Sequence, residues 1–167
     1  MNESGKVLVR DVVDVIRGFA PESVQENWDN SGLSVGDMDA EVTGVLVGFD
    51  CTPELVDEAV ECGANLIVTH HPLIFSGLRR VTPDDAVGLA VMKAIRGGVA
   101  IYSAHTSADK VVGGVSWAMA RRLGLENVSI LDVDSGVSGP DAEYGLGIVG
   151  DLPEPVPAEK AVEIVKS

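Results

Sequence analysis

Three short apolar runs, each followed by a stretch of helical periodicity, set the fold class of this chain. Gly44 to Phe49, Leu66 to Thr69 and Val99 to Tyr102 are rich in Val, Leu and Ile and carry no charge. Runs this short and apolar read as buried strands. Thr52-Pro53-Glu54 after the first is a helix start, with Thr52 as cap, Pro53 at the first helical position and an acid in the first turn. Leu55, Val56, Ala59 and Val60 give that helix its apolar face, and Gly63 ends it. Ala86 to Arg96 reads as the second helix, closed by Gly97-Gly98, and Val112 to Leu123 as the third, closed by Gly124. Strand–helix repetition implies an α/β fold: a mostly parallel sheet, right-handed crossovers and helices on both faces.

An earlier helix is carried by Val9, Val12, Val13 and Ile16 and should stop near Gly18, ahead of Pro21. A loop is expected from there through Gly36. After Gly124 the rhythm changes. Ser129 to Val133 and Tyr144 to Gly150 read as strands of a hairpin, separated by a loop over 134–142. A connection with three prolines then leads to a helix over Ala158 to Lys166. The expected division is a first α/β lobe over 1–127 and the start of a second, incomplete lobe over 128–167.

The formal net charge is −14. Phosphate backbones and anionic bilayers are bound by clustered Lys and Arg, so nucleic acid and membrane surfaces are excluded as partners on charge. Arg79-Arg80 and Arg121-Arg122 are the densest basic spots and are small. Cys51 and Cys62 form no CxxC pair, the start is polar, and no apolar run approaches a membrane span. The chain reads as a reduced, cytoplasmic protein whose cysteines are small buried residues.

The only histidines, His70, His71 and His105, each follow a strand-like run. Open α/β sheets place their chemistry at the carboxyl ends of strands. Imidazole with carboxylate suits Zn, Mn, Fe or Ni. Adjacent side chains leaving a strand diverge, so His70 and His71 are expected to serve one ion each in a pair roughly 3.5–4 Å apart. His105 and Asp109, four apart at a strand-to-helix junction, can face the same place. Asp109 is a candidate ligand or helix cap. His105 is a candidate ligand, ligand-orienting group or general acid/base. Trp28, Asp29 and Asn30 are candidates for the wall of a substrate cleft.

Three motifs give the chain a resemblance to a known family: Trp28-Asp29-Asn30-Ser31-Gly32-Leu33, Thr69-His70-His71-Pro72-Leu73-Ile74-Phe75 and His105-Thr106-Ser107-Ala108-Asp109. In content, order and spacing they resemble the dinuclear-metal proteins known as GTP cyclohydrolase 1 type 2, or NGG-interacting-factor-like proteins. The resemblance implies a two-lobed α/β fold and two divalent metal ions held through positions matching His70, His71 and Asp109, with His105 as the catalytic candidate. It also implies a homo-oligomeric ring, commonly a hexamer, and a small-molecule substrate, with GTP, hydrolysed in its purine ring, as the nucleotide usually assigned. Family members complete the metal site with a His and a Glu near the end of a longer chain. This sequence has no fourth histidine, so the site within it is expected to be incomplete. The competing expectation is a non-catalytic metal-binding regulatory or assembly protein of the same fold.

Overall fold

The computed structural model describes residues 5–139 and 143–166. Part of the loop expected over 134–142 and the first four residues of the polar start lie outside the described residues. The chain divides into two compact units, Met1–Ala108 and Asp109–Ser167.

The first unit is built on a four-stranded sheet. β1 is Gly32–Val35, β2 Val45–Gly48, β3 Leu66–Thr69 and β4 Ala100–Ser103, in the order β1-β4-β3-β2. β2, β3 and β4 are parallel, as the strand–helix rhythm implies, and β1 joins β4 antiparallel. β1 and a 3-10 turn at Glu22–Val24 occupy the segment expected to be a loop. With only four residues and two exposed neighbours of polar character, β1 carries too little periodicity to be read as a strand; pairing with β4 creates it.

Both faces of the sheet are covered. Leu66, Ala100 and Tyr102 meet Val9 and Val13 of α1 (Val9–Phe19). Ile67 and Ile101 meet Val56 and Ala59 of α2 (Pro53–Cys62) and Ala90, Val91 and Ala94 of α3 (Ala86–Gly97). Successive residues of β3 and β4 therefore serve opposite helical layers, which is why these strands are apolar up to their last residues, Thr69 and Ser103. Leu66, Ile67 and Ile101 have no accessible surface. Each contributes about 1.5–3 kcal/mol of burial.

The helix ends follow the expected chemistry. Thr52 Oγ1 accepts from Leu55 N at 3.2 Å, and Asp85 Oδ1 accepts from Gly88 N at 2.8 Å. Gly63 closes α2 with φ +76°, a conformation that costs a side-chain-bearing residue energy. Cys51 is buried as expected, but Cys62 is exposed, because it ends α2 on the side away from the core.

A short helix, α4 (Thr106–Lys110), lies in the stretch after β4 expected to be loop. The helix expected over Val112 to Leu123 is α5 (Val115–Arg122), which starts only after Gly113 at φ +83°. In the second unit, β5 (Glu126–Val133) and β6 (Gly145–Asp151) form the expected antiparallel hairpin. α5 lies against β6, and α6 (Ala158–Lys166) has no buried residue. No helix among the described residues is long and apolar enough to cross a membrane.

Candidate metal centre

Strand register brings the motifs together. Thr69 at the end of β3 lies opposite Ser103 at the end of β4, so His70 and His105 leave the sheet side by side. Gly48 at the end of β2 pairs with Thr69, which carries Phe49 and Asp50 to the same edge. β1 runs the other way, and its first residue, Gly32, lies opposite Ser103. The segment Trp28 to Ser31 therefore enters where the parallel strands end.

The three imidazoles form a triangle. Ring centroids are 5.1 Å apart for His70–His71, 5.1 Å for His70–His105 and 5.3 Å for His71–His105. Each residue offers one ligand atom, and these atoms lie within 4.8 Å of one another. His70 and His71 both occupy a bend just past the end of β3, their ring planes 45° to each other. The bend is held by His71 N donating to Phe49 O at 3.0 Å, and by the hydroxyls of Thr69 and Ser103 donating to His71 O at 2.9 and 3.3 Å.

Hydrogen bonding chooses the tautomer of every ring. His70 Nδ1 lies 3.2 Å from Ala104 O, His71 Nδ1 2.7 Å from Asp50 Oδ1, and His105 Nδ1 2.9 Å from Asp29 Oδ1. A carbonyl or an ionised carboxylate can only accept, so each Nδ1 carries a proton, and in the neutral ring Nε2 is the atom with a lone pair. Histidine ligands are commonly oriented by such acceptors. Two nitrogens on one tetrahedral zinc ion, with Zn–N of about 2.0–2.1 Å, stand about 3.4 Å apart, so the cluster would close by about 1 Å around a single shared ion. By donor type, three imidazoles suit a borderline divalent cation.

Asp29 is the most constrained group here. Its side chain has no accessible surface. Oδ1 accepts from His105 Nδ1 and from Asn30 N at 2.7 Å; Oδ2 accepts from Thr106 N at 3.0 Å, from Ser31 Oγ at 3.1 Å and from Thr106 Oγ1. Burial alone would raise its pKa, but the donors from Thr106, His105 and Asn30 outweigh that and hold it at about 2. Instead of lining a cleft, Asp29 sits under His105 and orients it. Asn30 Nδ2 donates to Ile74 O at 2.6 Å, tying its loop to the one that follows His71.

Trp28, Phe49 and Phe75 ring the imidazoles, each more than half exposed. Phe49 stacks on His70 with centroids 5.4 Å apart and contacts His71 at 4.4 Å. Trp28 meets His105 edge-on at 6.1 Å and Phe75 at 5.9 Å. Asp109 stands in α4 as the first residue of the second unit. Sequence reasoning missed Asp50, Phe49 and the Thr69–Ser103 hydroxyl pair. Asp50 was findable, since it follows an apolar strand by the same rule that located the histidines.

The family model of Duf34/NIF3 (NGG1p interacting factor 3) matches residues 7–167. The chain belongs to the Duf34/NIF3 family. A curated relative from Clostridium perfringens, named GTP cyclohydrolase 1 type 2 homolog, is 36% identical over 159 residues, covering 95% of this chain and 59% of the relative. The chain thus spans less than two thirds of that relative's length. Among solved structures of this fold, a Staphylococcus aureus protein matches with TM-score 0.85 and 30% identity, covering 96% of this chain and 64% of the other. The reduced form of HcgD from Methanocaldococcus jannaschii matches with TM-score 0.80 and 28% identity over 96% of this chain and 60% of that one. In this Duf34/NIF3 chain the three motifs that carry the resemblance converge on one edge of one sheet.

Proposed function

We propose that this Duf34/NIF3 chain holds the metal-binding core of a divalent-metal-dependent hydrolase of the GTP cyclohydrolase 1 type 2 kind, acting on GTP or a related purine nucleotide. The observation that carries the proposal is that all three imidazoles have Nδ1 engaged by an acceptor, which turns Nε2 into the ligand atom at each. His70, His71 and His105 would hold the cation, and Asp109 enters the proposal on the resemblance alone. The resemblance also supplies a second ion and the homo-oligomeric ring; a cytoplasmic setting rests on the polar start and the unpaired cysteines. Zn, Mn, Fe and Ni suit this donor set.

A bound divalent ion supplies Lewis acidity that makes water a nucleophile near neutral pH. The chain's own residues do the rest. Asp50 and Asp29 keep the protons of His71 and His105 on Nδ1. The hydroxyls of Thr69 and Ser103 hold the histidine bend rigid. Phe49, Phe75 and Trp28 offer ring faces and edges to a planar base. With the ion on His70 and His71 alone, the Nε2 of His105, oriented by a buried carboxylate, would instead be the atom that holds or passes a proton.

Elemental analysis of the purified chain beside a His70→Ala, His71→Ala double variant tests this. Stoichiometric divalent metal in the wild type, lost in the variant with unchanged circular dichroism, is the expected result. GTP consumption, followed by chromatography, should fall with the metal. Absence of bound metal from a wild type supplied with Zn, Mn, Fe and Ni would overturn the proposal. Metal retention without turnover would favour the regulatory or assembly reading.

A further inference from the structure

The loop over 73–87 lines an open cavity of about 510 Å³, within the roughly 300–1,000 Å³ of small-molecule sites. Leu73 and Val87 give it an apolar floor, and Arg79, Arg80 and Thr82 give it donors. Two features join it to the imidazoles. Phe75 lines the cavity and also lies edge-on to His105, with ring centroids 6.4 Å apart. Asn30 Nδ2 holds the loop through Ile74 O. Gly88, on α3, keeps the loop close to the helix: a Cβ there would lie 2.2 Å from Thr82 O.

The cavity places two cations side by side in an acidic chain. Lys6, Arg10, Arg17 and Lys93 of the same unit each pair with a carboxylate. Among the described residues, Arg79 and Arg80, like Arg96 on α3, form no ion pair, although Asp84 and Asp85 line the same cavity. Asp85 is committed to the α3 cap through Gly88 N. Thr82 Oγ1 is buried and finds no hydrogen-bond partner among the described groups. A buried hydroxyl without a partner is costly, so it calls for one. Two guanidinium groups and a hydroxyl lining one cavity are the donors and charge that a phosphate group takes.

We propose that the 73–87 cavity is a subsite for a phosphate group of the substrate, held by Arg79 and Arg80, while the rest of the substrate reaches the imidazoles past Phe75. The link to a substrate rests on the hydrolase reading above; the anion site itself does not. Phe75 then separates the reacting end from the charged end, and the cavity selects phosphorylated compounds over the free base or nucleoside.

Calorimetric titration of metal-stripped protein with sodium pyrophosphate, at fixed ionic strength, tests the subsite without any metal or turnover. The Arg79→Gln, Arg80→Gln double variant should bind at least about tenfold more weakly, as expected for the loss of two charge-assisted contacts. Asp84→Asn should bind more tightly, because it removes a competing negative charge. The His70→Ala, His71→Ala variant should bind as the wild type does. Both arginines are exposed, so their replacement leaves the fold intact by circular dichroism. Equal binding by the wild type and the arginine variant, no binding by the wild type, or loss of binding in the histidine variant would each overturn the proposal. Failure of the hydrolase reading shows separately, as absence of metal with pyrophosphate binding preserved.

Discussion

Replacing Asp29 by Asn is the sharpest test of how this site is built. The carboxylate is fully buried and accepts from five donors, two on Oδ1 and three on Oδ2. An amide must place its NH2 at one of those positions. At Oδ1 it faces the Asn30 backbone N–H, which cannot reverse, and it drives His105 to the opposite tautomer. At Oδ2 it faces the Thr106 backbone N–H, which cannot reverse either. At Oδ2 the stranded Thr106 N–H is partly buried, at a cost of about 1–3 kcal/mol, whereas at Oδ1 the stranded Asn30 N–H is exposed and water can reach it. Loss of the ionised acceptor adds to this. The wild-type carboxylate is held at about 2 against an ordinary 3.8, a gap worth about 2 kcal/mol. Because the folded pKa is the lower one, that stability is complete above about pH 4 and lost as pH falls through about 2. Urea denaturation of metal-free protein should show the variant about 2–3 kcal/mol less stable at neutral pH, with the difference narrowing in acid. Divalent-metal affinity should fall about 10–100-fold, as for other orienting partners of ligand histidines. Nitrogen-15 NMR of His105 reads the tautomer directly. A variant within about 0.5 kcal/mol of wild type that keeps its proton on Nδ1 would refute the reasoning.

Three further outcomes follow from the packing. Ile101→Ala removes a fully buried core side chain and should cost about 2–5 kcal/mol in chemical denaturation, while the protein that remains folded keeps its metal. Thr52→Ala deletes the α2 cap and should cost about 1 kcal/mol, seen as a lowered denaturation midpoint with unchanged slope. Burial pushes the Cys51 thiol up to about 11, so at neutral pH a thiol reagent should titrate exposed Cys62 in the native protein and reach Cys51 only on unfolding.

Much of this protein is legible in local sequence. The strand over Leu66–Thr69 and the helix over Ala158–Lys166 have the expected bounds, since an apolar run and a helical period are properties of the segments themselves. The caps at Thr52 and Gly63 were equally plain, because each satisfies its own helix end. The second helix began where expected, although its Asp85 cap went unread. Where local pattern was weak, reading failed. β1 and α4 were taken for loop, and α5 was started at Val112, ahead of Gly113 rather than after it.

The histidines identified themselves by type and by position after strands, and the family motifs named their company. What no spacing could supply was their orientation. His70 and His71 share one bend because the strand has ended, and two hydroxyls from neighbouring strands pin it. His105 presents Nε2 because Asp29, distant in sequence, is brought beneath it by an antiparallel strand that the sequence hides. Sequence determined which residue types were available and which segments would be buried, through composition and periodicity along the chain. Tertiary structure alone decided which nitrogen of each imidazole faces outward, because that choice is made by acceptors from other strands, and register, not sequence order, determines who those neighbours are.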